Sequence, residues 1–115
     1  ITITNYLGGK YFFTSDEVEL HGNDIFLIEG KHTKDKNLPS LNDIKDGCLK
    51  MILLTNLQDV KVDDKTYNPK PILKLTTGIP FRTEYATYEQ KKLLEDLKKE
   101  SQSNGFQVSL NSQYL

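Results

Sequence analysis

The clearest pattern of apolar and polar positions lies at residues 16–31, Asp-Glu-Val-Glu-Leu-His-Gly-Asn-Asp-Ile-Phe-Leu-Ile-Glu-Gly-Lys. Asp16, Val18 and Leu20 share one parity, and Ile25, Leu27, Glu29 and Lys31 share another. Side chains in a strand alternate between faces with a period of two, so each set lines one face of a strand. Gly22-Asn23 between them is a two-residue hairpin signal. With those two residues as the turn, His21 pairs with Asp24, Leu20 with Ile25, Val18 with Leu27 and Asp16 with Glu29. Directly opposed Cβ atoms on a sheet lie roughly 4.5–5.5 Å apart, so this register brings two carboxylates together at the end of an apolar stripe. Lys31, two residues beyond Glu29, projects on the same face.

Around this hairpin the remaining pattern is that of a small α/β domain. Ile-Thr-Ile-Thr at the start predicts a short strand, Gly8-Gly9 a tight turn, and Tyr11–Ser15 an approach to the first hairpin arm. Pro39-Ser40 opens a helix with Ser40 as N-cap and Asp43 in the first turn, where a carboxylate meets the free amides. Ile44, Cys48, Met51, Ile52 and Thr55 follow helical spacing and are expected to face the sheet, with Leu49, Leu53 and Leu54 widening the buried stripe. Gly47 is costly inside a helix, by roughly 1 kcal/mol relative to alanine, and close packing on the sheet would explain it. Val60–Val62 is a brief alternating piece. Asp63-Asp64-Lys65 and Asn68-Pro69-Lys70-Pro71 read as turns or loops, and Ile72–Leu75 as a strand. Thr87-x-x-Gln90 is a capping box that starts a second helix, with Leu93, Leu94, Leu97 and Ser101 inward; Asn104-Gly105 ends it. Phe106, Val108 and Leu110 give a closing strand. Strand, hairpin, helix, strand, helix, strand implies a mixed central sheet flanked by helices.

Composition narrows the functions available. With 115 residues, 37% apolar and 27% charged, the chain is one globular domain with a modest core. A formal net charge of −1 gives no global attraction to nucleic acid or anionic lipid, so contact with DNA would rest on local lysines. A single cysteine, Cys48, excludes an internal disulfide and a multi-cysteine zinc site, fits a reducing cytoplasmic setting, and on an apolar helix face is inert core. No apolar run approaches the roughly 20 residues of a membrane span. The start at Ile1, without methionine and directly in a strand, suggests a piece of a longer protein.

The hairpin carries the candidate chemistry. Two carboxylates on one sheet face are hard oxygen ligands suited to Mg²⁺ or Mn²⁺. Such an ion can lower the pKa of a bound water and neutralise charge on a phosphate oxygen, and a neighbouring lysine can orient that water or offset the added negative charge. Asp16 and the tripeptide Glu29-Gly30-Lys31, preceded by Ile25-Phe26-Leu27-Ile28, resemble the PD-(D/E)xK nuclease superfamily, the restriction-endonuclease-like fold; the resemblance covers roughly residues 11–76. It implies that Asp16 and Glu29 bind the metal, that Lys31 assists the attacking water, and that the substrate is DNA. Two departures stand beside it: no proline precedes Asp16, and the family's N-terminal helix has no counterpart. A three-residue turn would make Glu17 the first ligand instead.

Lys34 and Lys36, in the polar loop after Lys31, and Arg82, between Phe81 and Tyr85, are the positions where a phosphate backbone could be touched. Ordinary solvated or packed loops are the competing explanation for both segments. Lys45 and Lys50 lie off the apolar stripe, as solvent lysines or phosphate contacts. His32 falls on the face opposite Lys31. The expected activity is a Mg²⁺-dependent endodeoxyribonuclease, a restriction enzyme or its catalytic domain, acting as a homodimer or with a partner subunit. The alternatives are a non-catalytic interaction or scaffold domain in which Lys31 merely pairs with Glu29 on an edge strand, and a nuclease selective for branched DNA or RNA.

Overall fold

The computed structural model describes residues 2–4, 10–12, 15–57 and 59–115. The turn expected at Gly8-Gly9 lies outside these residues. Strands β1 (Thr2–Thr4) and β2 (Lys10–Phe12) form an antiparallel pair. Lys10–Phe12 thus pairs back on the first strand, and Phe13 and Thr14 of the expected approach to the hairpin lie outside the described residues. Next come β3 (Glu17–His21) and β4 (Asp24–Thr33), helix α1 (Leu41–Thr55), β5 (Lys61–Val62), β6 (Lys65–Thr66), β7 (Asn68–Thr77), helix α2 (Tyr88–Asn104), β8 (Gln107–Leu110) and β9 (Gln113–Tyr114).

The main sheet has the order β3-β4-β7-β8-β9. β3 runs antiparallel to β4; β4, β7 and β8 are mutually parallel; β9 is antiparallel to β8. A second, smaller sheet joins β2-β1-β5-β6, with Asp63 and Asp64 both at positive φ in the β5–β6 turn. The domain is thus α/β, with a mixed sheet and two helices.

Parity along the strands decides what is buried. Ile25 and Leu27 of β4, Leu73 and Leu75 of β7, and Val108 and Leu110 of β8 meet Ile44, Met51 and Leu54 of α1 and Leu97 of α2 in one apolar cluster. Both helices therefore pack on the same face of the sheet. The opposite face carries Phe26, Ile28, Ile72, Lys74 and Ser109, with no helix over it among the described residues. Gly47 shows why a residue so unfavourable in helices is placed there: a Cβ at that position would lie 2.5 Å from Leu73 Cδ1. Any larger side chain there would force the Leu73 side chain to shift.

Both helix starts follow the sequence signals. Ser40 Oγ accepts from the Asp43 amide at 3.2 Å, and Thr87 and Gln90 cap each other reciprocally at 3.1 Å. Gly105 ends α2 in the left-handed conformation at φ 73°.

Two expectations are corrected. The buried stripe of α1 is narrower than expected: Ile44, Gly47, Met51 and Leu54 face the sheet, while Leu49, Ile52 and Leu53 are exposed. One sheet face can cover only about one stripe of a helix, and the leucines outside it stay in solvent. The second correction concerns residues 68–71, read as loop but forming the first part of β7. The Asn68 amide donates to the Asn23 carbonyl, so even-numbered amides of β7 point to β4 and odd-numbered ones away from it. β8 begins only opposite Ile72, so the missing amides of Pro69 and Pro71 face an unpaired edge, where proline is tolerated.

Candidate metal and phosphate site

The hairpin register is the one read from the turn: Glu17↔Ile28, Val18↔Leu27, Glu19↔Phe26, Leu20↔Ile25 and His21↔Asp24. Gly22 occupies the turn at φ 61°, a left-handed conformation available to glycine without strain. Since Ile25 and Leu27 point into the core, Glu29 and Lys31 emerge on the same, helix-covered face as that core thins out. Their register partners on β7 are Leu73 and Leu75, both fully buried. The Glu29 side chain is only 15% exposed, and Lys31 is half-buried.

Asp16 reaches this site differently from the expectation. The β3–β4 ladder ends at Glu17↔Ile28, and Asp16 stands in a bend just before the strand, so it forms no backbone pair with Glu29. Its carboxylate instead accepts the Gly30 amide at Oδ2, 2.9 Å away. The side chain takes the donor that a continued ladder would have given to backbone. Ser15 fixes the bend: its hydroxyl lies 2.9 Å from both the Ile28 and the Glu17 carbonyls. A substituent on Gly30, which by parity would point to the face opposite Glu29 and Lys31, would stand in ordinary contact with Asp16 Oδ2 at 3.7 Å.

Glu17, the rival first ligand, sits on the other face. Its register partner Ile28 points away from Glu29, and its Oε1 accepts from Lys74 Nζ at 3.2 Å. His32 shares that face and meets the hydroxyl of its register partner Thr76 at 2.8 Å, as its parity requires.

Sequence reasoning left Lys50 as a solvent lysine or a phosphate contact and missed its place beside Glu29. From α1 its Nζ lies 4.0 Å from Glu29 Oε2, with the two side chains 27% and 15% exposed. The signal available was position: Lys50 immediately precedes the core residue Met51, on the flank of the buried stripe. β4 is an interior strand, so the expected pair of Lys31 with Glu29 on an edge strand is replaced by a pair between helix and sheet.

Lys34, Lys36 and Arg82 are all exposed, and they gather at one end of the sheet. The Gly78 amide donates to the Thr33 carbonyl at 2.7 Å, and a Cβ on Gly78 would overlap the Lys34 carbonyl. Gln90 Nε2 donates to Asn37 Oδ1 at 2.8 Å. The loop after β4 is thereby packed against the loop after β7 and the start of α2. Phe81 is packed on the core and Tyr85 is 77% exposed, so they do not sandwich Arg82. This end of the sheet is the carboxyl end of the parallel strands, where ligands commonly bind in open α/β sheets. Glu29 is set back from Thr33 by roughly 13 Å at about 3.3 Å per residue.

Cys48 lines the groove between α1 and α2 with Leu49, Leu93 and Glu100. Burial pushes its thiol above the ordinary value, and the Glu100 carboxylate adds to the effect, which fits an unreactive side chain.

Among the described residues no group of three or more His, Cys, Asp or Glu converges as a metal cage. Mg²⁺ needs none: it commonly takes one or two protein carboxylates and keeps several waters. Asp16 and Glu29 each carry hard carboxylate oxygens, and Asp16 retains acceptor capacity on Oδ1 beyond its bond to Gly30. Comparison of the chain with family models, curated proteins and solved structures finds no match in any of the three.

Proposed function

We propose that this domain is a metal-dependent endodeoxyribonuclease of the PD-(D/E)xK type, hydrolysing phosphodiester bonds in DNA. One observation carries the reading: the Asp16 carboxylate is hydrogen-bonded to Gly30, the residue between Glu29 and Lys31, which share the helix-covered face of β4. Asp16 and Glu29 would hold Mg²⁺, with Mn²⁺ as a substitute. When bound, the ion supplies a more acidic water and neutralises charge on a phosphate oxygen. Lys31 donates a hydrogen bond to the attacking water and sets a positive charge beside the phosphate as negative charge builds on it. The Gly30 amide orients the exposed Asp16, and the apolar wall of Leu73 and Leu75 shields the Glu29 carboxylate from water, strengthening its interaction with a cation. Lys34, Lys36 and Arg82 would meet the phosphate backbone at the adjoining end of the sheet. With a net charge of −1, recognition falls to a second copy or a partner subunit.

Relaxation and linearisation of supercoiled plasmid tests this. Cleavage is expected with Mg²⁺ or Mn²⁺, abolished by EDTA, and reduced at least about 10²-fold in Glu29→Ala and Lys31→Ala. Parent-like cutting by both variants, or no cutting by the parent with either metal, overturns the reading. A non-catalytic interaction domain is the second reading. It is favoured by the exposed apolar side of α1, where Leu41, Leu49 and Leu53 are each about half exposed or more.

A further inference from the structure

The Glu29 carboxylate is mostly withdrawn from water, and a buried charge requires a partner. Its ion-pair partner among the described residues is Lys50, presented from α1 at 4.0 Å, rather than Lys31. The two lysines on this site differ in kind. Lys31 is fixed in line with Glu29 by the strand, two residues along the same face. Lys50 approaches from a separate element on a four-carbon stem whose ammonium is a mobile point charge. A divalent ion bound at Glu29 would stand against that ammonium, and like charges at such distance repel strongly in a half-buried site.

We propose that Lys50 is a positioning residue that occupies the Glu29 carboxylate in the metal-free protein and is displaced when the divalent ion binds. It keeps Glu29 aimed into the pocket before metal arrives, and it makes metal binding an exchange of one cation for another. The displaced ammonium stays tethered at the pocket, within reach of an incoming phosphate. The inference rests on the nuclease reading of Asp16 and Glu29, and the test separates the two.

The experiment is calorimetric titration of the full chain with MnCl₂, with melting temperatures measured in EDTA and in saturating Mn²⁺. Parent, Lys50→Met, Lys50→Gln, Lys50→Arg and Glu29→Gln are compared. One Mn²⁺ is expected to bind the parent and to be lost in Glu29→Gln. Lys50→Met and Lys50→Gln should bind Mn²⁺ about 3- to 10-fold more tightly, because no ammonium has to be expelled. Both should melt lower than the parent in EDTA and recover most of the difference in Mn²⁺. Lys50→Arg, which restores the charge, should return to the parent affinity. A purely structural lysine would lower the melting temperature equally with and without metal and leave affinity unmoved. Unchanged or weaker Mn²⁺ binding in the folded Lys50 variants, with parent binding intact, overturns the role of Lys50 alone. Absence of Mn²⁺ binding in the parent overturns this role and the metal-site reading together.

Discussion

The two faces of the main sheet carry similar charges to different ends, with Glu29 on one and Glu17 on the other. On the helix-covered side, Glu29 is 15% exposed, walled by buried leucines, and answered by a helix lysine. On the other side Glu17 and Lys74 form a shorter pair, 3.2 Å, yet are 49% and 41% exposed. His21 and Glu19 lie beside them, also exposed, with His21 edge-on to Phe26 at 5.1 Å. The shorter distance is the less consequential pair. An exposed ion pair is screened by water and salt and contributes roughly 0–1 kcal/mol, whereas a carboxylate held in low dielectric interacts strongly with any cation that reaches it. Chemistry is expected where the carboxylate is dry, and ordinary surface electrostatics where it is wet.

The largest expected effect tests that contrast directly. Glu29→Ala and Lys31→Ala should lose plasmid cleavage by at least about 10²-fold, while Glu17→Ala and Lys74→Ala should cut within about 3-fold of the parent. Equal losses on the two faces, read from initial cleavage rates at fixed Mg²⁺, would show that the covered face has no special part in the reaction.

What makes one face covered is the close seat of α1, and this was partly legible in the sequence. The hairpin register followed from Gly22-Asn23 alone, because a two-residue turn leaves one pairing that keeps Ile25 and Leu27 on one side. Both caps, the role of Gly47 and the opposite placement of His32 and Lys31 followed from equally local rules. The width of the helix stripe did not. Leu49 and Leu53 are as apolar as Leu54, and only the position of the sheet decides which is buried. The prolines of β7 were misleading because their tolerance depends on where β8 begins, nearly 40 residues later in the chain. The pairing of Lys50 with Glu29 was missed for the same reason: it is set by how α1 lies across β4, which no local pattern encodes. The bend at Asp16 likewise depends on Ser15 meeting the Ile28 carbonyl across the hairpin.

A smaller effect is expected from lifting the helix. Gly47→Ala gains about 1 kcal/mol of helix propensity but pushes a methyl group to 2.5 Å from Leu73 Cδ1. Leu73 is fully buried between β4 and β8 and has nowhere to turn, so overpacking of about 1–3 kcal/mol outweighs the gain. Urea denaturation should give a net loss of about 1 kcal/mol. A stabilised variant would mean that α1 can move off the sheet freely, and the distinction between a dry and a wet face would weaken with it.

The smallest effect asks how far the low dielectric of the covered side reaches outward, into the groove between the helices where Cys48 lies. Its thiol is held above the ordinary value, chiefly by burial and then by Glu100. The unfolded chain therefore loses this proton at a lower pH than the folded protein does. Below the unfolded value, about 8.5, both states hold the proton and the thiol contributes no pH dependence. As pH rises through that value the unfolded state binds fewer protons than the native state, and stability falls until the native thiol also ionises. Melting temperatures at pH 7.5 and 9.5 should show an alkaline decrease for the parent that is smaller in Cys48→Ala, once the drop common to both proteins is subtracted. An identical alkaline decrease in the two proteins would mean that the groove is as wet as the open face of the sheet. The dry environment invoked for Glu29 would then be confined to the space directly beneath α1.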